Sequence, residues 1–442
     1  LSESEIIHLA ADLSQVHANL TWNYPGSWEG YPYYGDPAIY LEYAAIAERG
    51  IFDLCFFADT ADTSEDADGN IDDPIRYGLR WPKHDPMPMA VAMAMVTAKP
   101  TRAVTMSTTY QHPFHLARLF NTLDHVTRGR IAWNAVTSAF TNEAMNWGYD
   151  ALPDPTWRYD RAEEHLAVVH KLWDSVGPDT LILDRETGQF GDPSQVHLID
   201  HVGEHYKVRG PLPCLPSPQG KPVIFAAGQS PRGLEFVAKY ADCQFAQAAT
   251  LENMVKQRAR LDQVLVANKR EIRDLGVMWA LRVEVVDSAA EARERERKFF
   301  DSQPPAAMLW QLSHLWGLDL ARRPEKTTLG DIVEEVHALG TMIGYLNDAL
   351  ASVGPDMTLR EYAVHRALHS TPNAIGTPEQ VADRMEELHH AAGANGGFSI
   401  TRHLSAPGTL REFVDRVVPE LQRRGLTRSE YQGPHLRDNL LT

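Results

Sequence analysis

"GRIAWNAVTSAFTNEAMNWG", residues 129–148, reads as a strand that runs out into a polar loop. Ile131, Ala132, Trp133, Ala135 and Val136 make a nearly continuous apolar run. That is the pattern of a strand covered on both faces, as in a parallel sheet flanked by helices. Asn134 interrupts the run, and Thr137 and Ser138 close it. The hydroxyls serve equally well as turn formers or as the floor of a binding site at the strand's carboxyl end.

Similar apolar runs occur at 8–13, 52–59, 103–109, 222–228, 241–248, 277–286 and 396–402. Helical patterns lie between them. "AIYLEYAAIAERG" ends on Gly50, a residue suited to a helix C-terminus. "SPRGLEFVAKYA" starts at Ser230, an N-cap type, with Pro231 in the first turn. Eight strand–helix alternations predict an α/β fold, a (β/α)8 TIM barrel, with no ninth strand. Insertions at about 60–85, 176–221 and 301–376 interrupt it on the carboxyl-end face. Residues 1–442 are read as one barrel domain carrying them. Loops of such length form lids or small subdomains.

Composition narrows the function. The 442 residues are 43% hydrophobic and 23% charged, which supports a large core. The net charge of -17 argues against nucleic acid and anionic membrane surfaces, which call for clustered Lys and Arg. No run approaches the roughly 18 apolar residues of a membrane span. Cys55, Cys214 and Cys243 form no C-x-x-C pair, so neither a disulfide framework nor a zinc ribbon is expected. "LSESEIIHLA" has no signal-peptide pattern, and the expectation is a reducing cytoplasm.

In a TIM barrel the active site lies at the strands' carboxyl ends. Here those ends carry Asp59, Ser107-Thr108-Thr109, Asn134 with Thr137-Ser138, and Gly228-Gln229-Ser230, with His17, Trp22, His112 and Tyr159 nearby. A glycine before a helix N-terminus, with hydroxyls beside it, suits a phosphate. An ordinary strand–turn–helix junction would look the same. Asp59 fits either a catalytic carboxylate or a buried, hydrogen-bonded one. The G-x-S-x-G elbow, H-E-x-x-H, the Walker A pattern and G-x-G-x-x-G after a strand are all missing, and no metal site is predicted. His389-His390 reads as solvated, and His165 and His170 are spaced poorly for one helix face.

"GRIAWNAVTS…NWG", "RYDRAEEHLAVVHKLWDS", "KVRGPLPCLPSPQGKPVIFAAGQSPRGLEFVAKYAD" and "VVPELQRRGLTRSEYQG" together resemble the bacterial-luciferase-like flavin monooxygenases. The likeness is to the group that acts on nitrilotriacetate, dibenzothiophene sulfone and long-chain alkanes, and it runs from about Leu9 to the C-terminus. It implies a TIM barrel, a homodimer or homotetramer, and reduced FMN delivered by a separate NAD(P)H-dependent flavin reductase, with O2 as co-substrate. It places Asp59, Thr108, Asn134 and Ser138 around the flavin and Tyr159, Gly228 and Ser230 at its phosphate. A deazaflavin-dependent hydride-transfer enzyme and a non-catalytic flavin-binding barrel are the competing readings. Two segments depart from the relatives: "WQLSHLWGLDLARRPE", where Trp316 stands in place of a glycine-rich stretch, and the first loop, 14–36. That loop holds Trp22, Tyr24, Trp28, Tyr31, Tyr33 and Tyr34 and no Lys or Arg. If it faces the flavin rather than simply packing, it predicts a small, apolar, ring-containing substrate, with His17 as a catalytic residue that orients it or stabilises the oxygenated flavin. The 301–376 insertion is predicted to close as a lid, bringing His314 near the substrate.

Overall fold

The structure, a computed structural model, describes residues 6–14, 16, 22–23, 27–65, 69–339, 343–401 and 407–440. In chain order its strands are β1 (His8–Asp12), β2 (Leu54–Phe57), β3 (Thr101–Ser107), β4 (Ile131–Val136), β5 (His201–Val202), β6 (Lys207–Val208), β7 (Val223–Ala226), β8 (Cys243–Ala246), β9 (Gly276–Val285), β10 (Asn373–Gly376) and β11 (Gly396–Thr401). Eight of them, in the order β9-β11-β1-β2-β3-β4-β7-β8, pair in parallel, and β8 pairs back onto β9 to close a TIM barrel. These are the eight runs read from the sequence.

The expectation of no ninth strand is corrected. β9 is ten residues long, and only Gly276–Trp279 meets β8. Its far half, Arg282–Val285, projects beyond β8 and accepts β10 as a parallel neighbour. β5 and β6 form a separate antiparallel hairpin inside the second insertion.

Side-chain parity explains the apolar runs. Ala10, Leu54, Phe56, Ala103, Ala132, Val223, Phe225, Cys243 and Met278 fill the barrel, with Phe56 stacked on Phe245 at 4.5 Å. The alternate residues, among them Leu9, Ala11, Cys55, Phe57, Ile131, Trp133 and Ala135, pack under the helices. Asn134, two residues after Ala132, therefore shares the interior face. Leu436 and Leu440, from the C-terminal helix Leu436–Leu440, join the interior cluster.

The third insertion has its own core. Leu312, Trp316, Leu329, Ile332, Val336, Leu346 and Tyr362 cluster together, and Trp316 is fully buried with its ring stacked on Tyr362 at 5.9 Å. The residue that marked a departure is thus a core residue of this insertion. His389 is also corrected: it is buried near Phe398, and only His390 is exposed. It lies in the last turn of the helix Pro378–Ala391 on the face that meets the barrel.

His165, on the helix Pro155–Trp173, is buried between Trp133 and Tyr206, with ring centroids 5.6 and 5.7 Å away. Burial, helped by Arg161 and His112, pushes its pKa from 6.5 down to about 3. The folded chain keeps this ring neutral while the unfolded chain protonates it. Stability should therefore fall as pH drops from 6.5 toward about 3, with a slope from this group of up to about 1.4 kcal/mol per pH unit. Urea unfolding of His165→Phe should show a shallower acid slope than wild type; parallel slopes would contradict this.

Candidate active site

β2, β3 and β4 are neighbours, so Asp59, Thr108, Asn134 and Ser138 stand at three adjacent strand ends. Thr105 and Asn134 are register partners, and Asn134 Nδ2 donates to Thr105 Oγ1 at 2.8 Å. Thr105 in turn donates to the Phe57 carbonyl at 2.7 Å. Asn134 Oδ1 is buried and has no partner among the described residues. A buried amide oxygen left this way costs free energy unless a donor arrives. Thr108 is buried, and its hydroxyl donates to the Val136 carbonyl at 3.0 Å.

Ser138 has a left-handed backbone, φ 60°, which a serine adopts only when held. Arg158 holds it by donating to the Ser138 carbonyl and, at 3.2 Å, to the Thr137 carbonyl. The turn brings Ser138 Oγ to 2.9 Å from Ser107 Oγ. Asp59 is half-buried beside Lys83; burial raises its pKa, against the pull of that lysine.

β7 ends at the turn Gly228–Ser230, and the helix Pro231–Tyr240 follows. Ser230 Oγ accepts the Gly233 N–H at 3.1 Å, which leaves the hydroxyl proton free to donate outward. Gly228 and Gly233 touch backbone to backbone: a Cβ on Gly228 would lie 2.6 Å from Gly233 Cα. A Cβ on Gly233 would lie 2.8 Å from Tyr159 Oη. Tyr159, Gly228, Ser230 and Gly233 therefore converge on one helix N-terminus, where backbone donors and the helix dipole favour an anion. Gly233 was missed in the sequence, although its spacing of five from Gly228 is the signal of a close turn.

A cavity of about 590 Å³ opens between the exit of β4 and the third insertion. Phe140, Leu152, Pro153, Arg158, His314 and Leu315 are among its walls. His314 stacks on Phe140 at 4.7 Å and on Trp310 at 5.4 Å. Its Nε2 lies 2.8 Å from Arg80 Nη1, and burial, with Arg80 beside it, pushes its pKa down to about 4. Asp62 is buried among Lys83 at 2.9 Å, Arg80 at 3.7 Å and Asn142 at 3.3 Å. Glu143 is buried too, and burial raises its pKa. Sequence reading missed Arg80, Asp62 and Lys83, because an acidic loop-like run gives no sign that it folds inward, and it missed Glu143 in the short helix Thr141–Asn146 after β4.

The first loop is placed less centrally than expected. Trp22 donates to the Tyr77 carbonyl at 3.0 Å, and Trp28 lies 5.7 Å edge-on to Tyr34. Trp22, Trp28, Tyr31, Tyr33 and Tyr34 do not line the 590 Å³ cavity. His17 and Tyr24 lie outside the described residues.

Comparison with known proteins decides the family. The model for luciferase-like monooxygenases matches residues 21–396. The chain belongs to the luciferase-like monooxygenase family. Dibenzothiophene-sulfone monooxygenase of Rhodococcus erythropolis (strain XP) is 36% identical over 446 residues, covering 100% of this chain and 97% of that protein. Nitrilotriacetate monooxygenase component A of Aminobacter aminovorans is 34% identical over 97% of this chain and 94% of its own length. Among solved structures, DmoA from Hyphomicrobium sulfonivorans superposes with a TM-score of 0.87 at 30% identity, over 99% of this chain and 92% of that one. As a member of the family the chain is a monooxygenase, and hence an oxidoreductase, on the TIM barrel described above. Among the described residues no helix is long and apolar enough to cross a membrane.

Proposed function

We propose that this chain uses reduced FMN and O2 to oxygenate a small, neutral organic substrate, with the FMN supplied by a separate NAD(P)H-dependent flavin reductase in the cytoplasm. The observation that carries the cofactor is the cradle of Gly228, Ser230, Gly233 and Tyr159, which fits a phosphate. The unpartnered Asn134 Oδ1 fits a ring N–H at the barrel mouth. Asp59 and Ser138 complete the strand-end lining, and Thr108, fully buried with its hydroxyl on the Val136 carbonyl, braces it from behind. When bound, reduced FMN supplies the electrons that let O2 deliver one oxygen atom to the substrate. The chain's own residues bind and orient. Ser230 and Tyr159 donate to the phosphate, and Arg158 fixes the strained exit of β4. The third insertion excludes water as a lid. His17 and His314 are read as the substrate-side histidines.

The cavity supports a neutral substrate. Arg158 is the cation of its described lining, and it is already bonded to the Pro153, Thr137 and Ser138 carbonyls. Glu65 and Asp154 line it as well. A polycarboxylate would call for converging, uncommitted cations. An apolar, ring-containing molecule matches Phe140, Leu152 and Pro155 better.

A relative named component A points to a second component. The deazaflavin reading is weaker, since a coenzyme F420-dependent reductase at 14% identity shares the fold alone. A homodimer or homotetramer is part of the same proposal.

The purified chain with FMN should oxidise NAD(P)H negligibly, and O2 uptake should begin when a flavin reductase is added. Robust NAD(P)H turnover without the reductase would contradict the two-component reading.

A further inference from the structure

Three segments far apart in sequence meet at Arg80. Its Nη1 lies 2.8 Å from His314 Nε2 on the third insertion, and its Nη2 donates to Thr60 Oγ1. Its guanidinium sits 5.0 Å from the centroid of the Phe140 ring, at the exit of β4. The same Phe140 ring stacks on His314.

The chemistry of this contact leaves one protonation state. A guanidinium has five donors, no acceptor, and does not lose its proton in a protein. His314 Nε2 must therefore be the acceptor, with its lone pair toward Arg80. The ring proton then sits on Nδ1, and the backbone of Glu65 also bonds to the ring. The ring is thus held by two protein partners, the first insertion's arginine and its backbone. Protonating Nε2 would set N–H against N–H and put two cations in contact.

We propose that Arg80 is a positioning residue: it holds His314 as the neutral, Nδ1-protonated imidazole and so fastens the third insertion to the barrel as a wall of the 590 Å³ cavity. In this arrangement His314 presents a ring face rather than a proton to the substrate. Other charged groups face the pair. Asp62, 3.7 Å from Arg80, pulls the histidine toward protonation, while Lys83, bonded to Asp62, opposes it. Glu65, Asp154 and Arg158 line the cavity onto which His314 opens. The committed lone pair and the burial outweigh the attraction of Asp62.

The proposal deepens the functional reading, but its test needs neither flavin nor substrate. Label the full chain with 15N-histidine and assign His314 by its loss in His314→Asn. Wild type should show an unprotonated Nε2 and a protonated Nδ1 for His314, unchanged from about pH 5 to pH 8, where an ordinary histidine titrates. Arg80→Met should free Nε2, so that the Nε2 signal moves from its wild-type position and the ring titrates at a higher pH than in wild type. Arg80→Lys keeps a donor and should retain the wild-type pattern. A wild-type His314 that carries the proton on Nε2, or that titrates between those limits, would overturn the proposal. So would an Arg80→Met spectrum identical to wild type. Because no flavin is present, failure here is distinct from failure of FMN binding, which is read by titration with the cofactor.

Discussion

Gly228→Ala should weaken FMN binding by about a hundredfold or more. The new methyl would sit 2.6 Å from Gly233 Cα and 2.8 Å from the Gly233 carbonyl carbon and oxygen. These are backbone atoms at the first turn of a helix, so no side chain can swing aside to make room. Overpacking of this kind costs about 1–3 kcal/mol. Spreading the turn also moves the donors away from the phosphate, and each charge-assisted hydrogen bond lost costs about 1.5–3 kcal/mol. Together these come to about 2.5–6 kcal/mol, against the roughly 2.8 kcal/mol of a hundredfold change. Ser230→Ala and Tyr159→Phe each remove one donor and should lose about tenfold to a hundredfold. Calorimetric or fluorescence titration with FMN reads all three. Wild-type affinity in the three variants would remove the phosphate from this turn.

Asp53→Ala should cost about 3–5 kcal/mol of stability, because it strands a buried cation. The Asp53 side chain is 3% exposed and that of Arg428 8%, and they meet at 2.5 Å. The second Asp53 oxygen accepts the Leu9 N–H at 2.9 Å and lies 3.3 Å from His8 Nδ1. One carboxylate therefore ties β1, the entry to β2 and the C-terminal segment that brings Leu436 and Leu440 into the barrel. Burial alone would raise its pKa, but His8 and Arg428 prevail and hold it below the ordinary 3.8. A lowered carboxylate contributes its stability above the unfolded value and loses it as pH falls through the folded one. The contribution should thus be constant from neutral pH down to about pH 4 and vanish only below that. Urea unfolding of Asp53→Ala at neutral pH tests this; a loss under about 1 kcal/mol would place the pair among those of no consequence.

The barrel was legible because parallel strands covered by helices must be apolar on both faces, and runs such as "FDLCFFAD" announce that directly. Asn134 was legible for the same reason, as an amide in a run where burial forbids idle polar groups. The turn at Gly228–Ser230 was readable from local order alone, since Pro231 and Ser230 mark a helix start. Other features depend on contacts that leave no local trace. Arg80 and His314 are 234 residues apart, and nothing in an acidic stretch foretells that Asp62 will be buried between two cations. Trp316 stood out in the sequence as a departure from the relatives, and nothing local told that apolar burial draws it into the insertion's own core. β10 escaped notice because its four residues, "NAIG", become a strand only by pairing with the overhanging half of β9.

The most direct test of the central claim is transfer of labelled oxygen. The purified chain, a flavin reductase, NAD(P)H and FMN should be incubated under 18O2 with dibenzothiophene sulfone, a long-chain alkane, dimethyl sulfide and nitrilotriacetate. Mass spectrometry of the products should find one 18O atom in the product of a neutral substrate, dependent on both FMN and the reductase, and lost in Gly228→Ala. Unlabelled products, or turnover that persists without FMN or without O2, would contradict the account, as would labelled product from nitrilotriacetate alone.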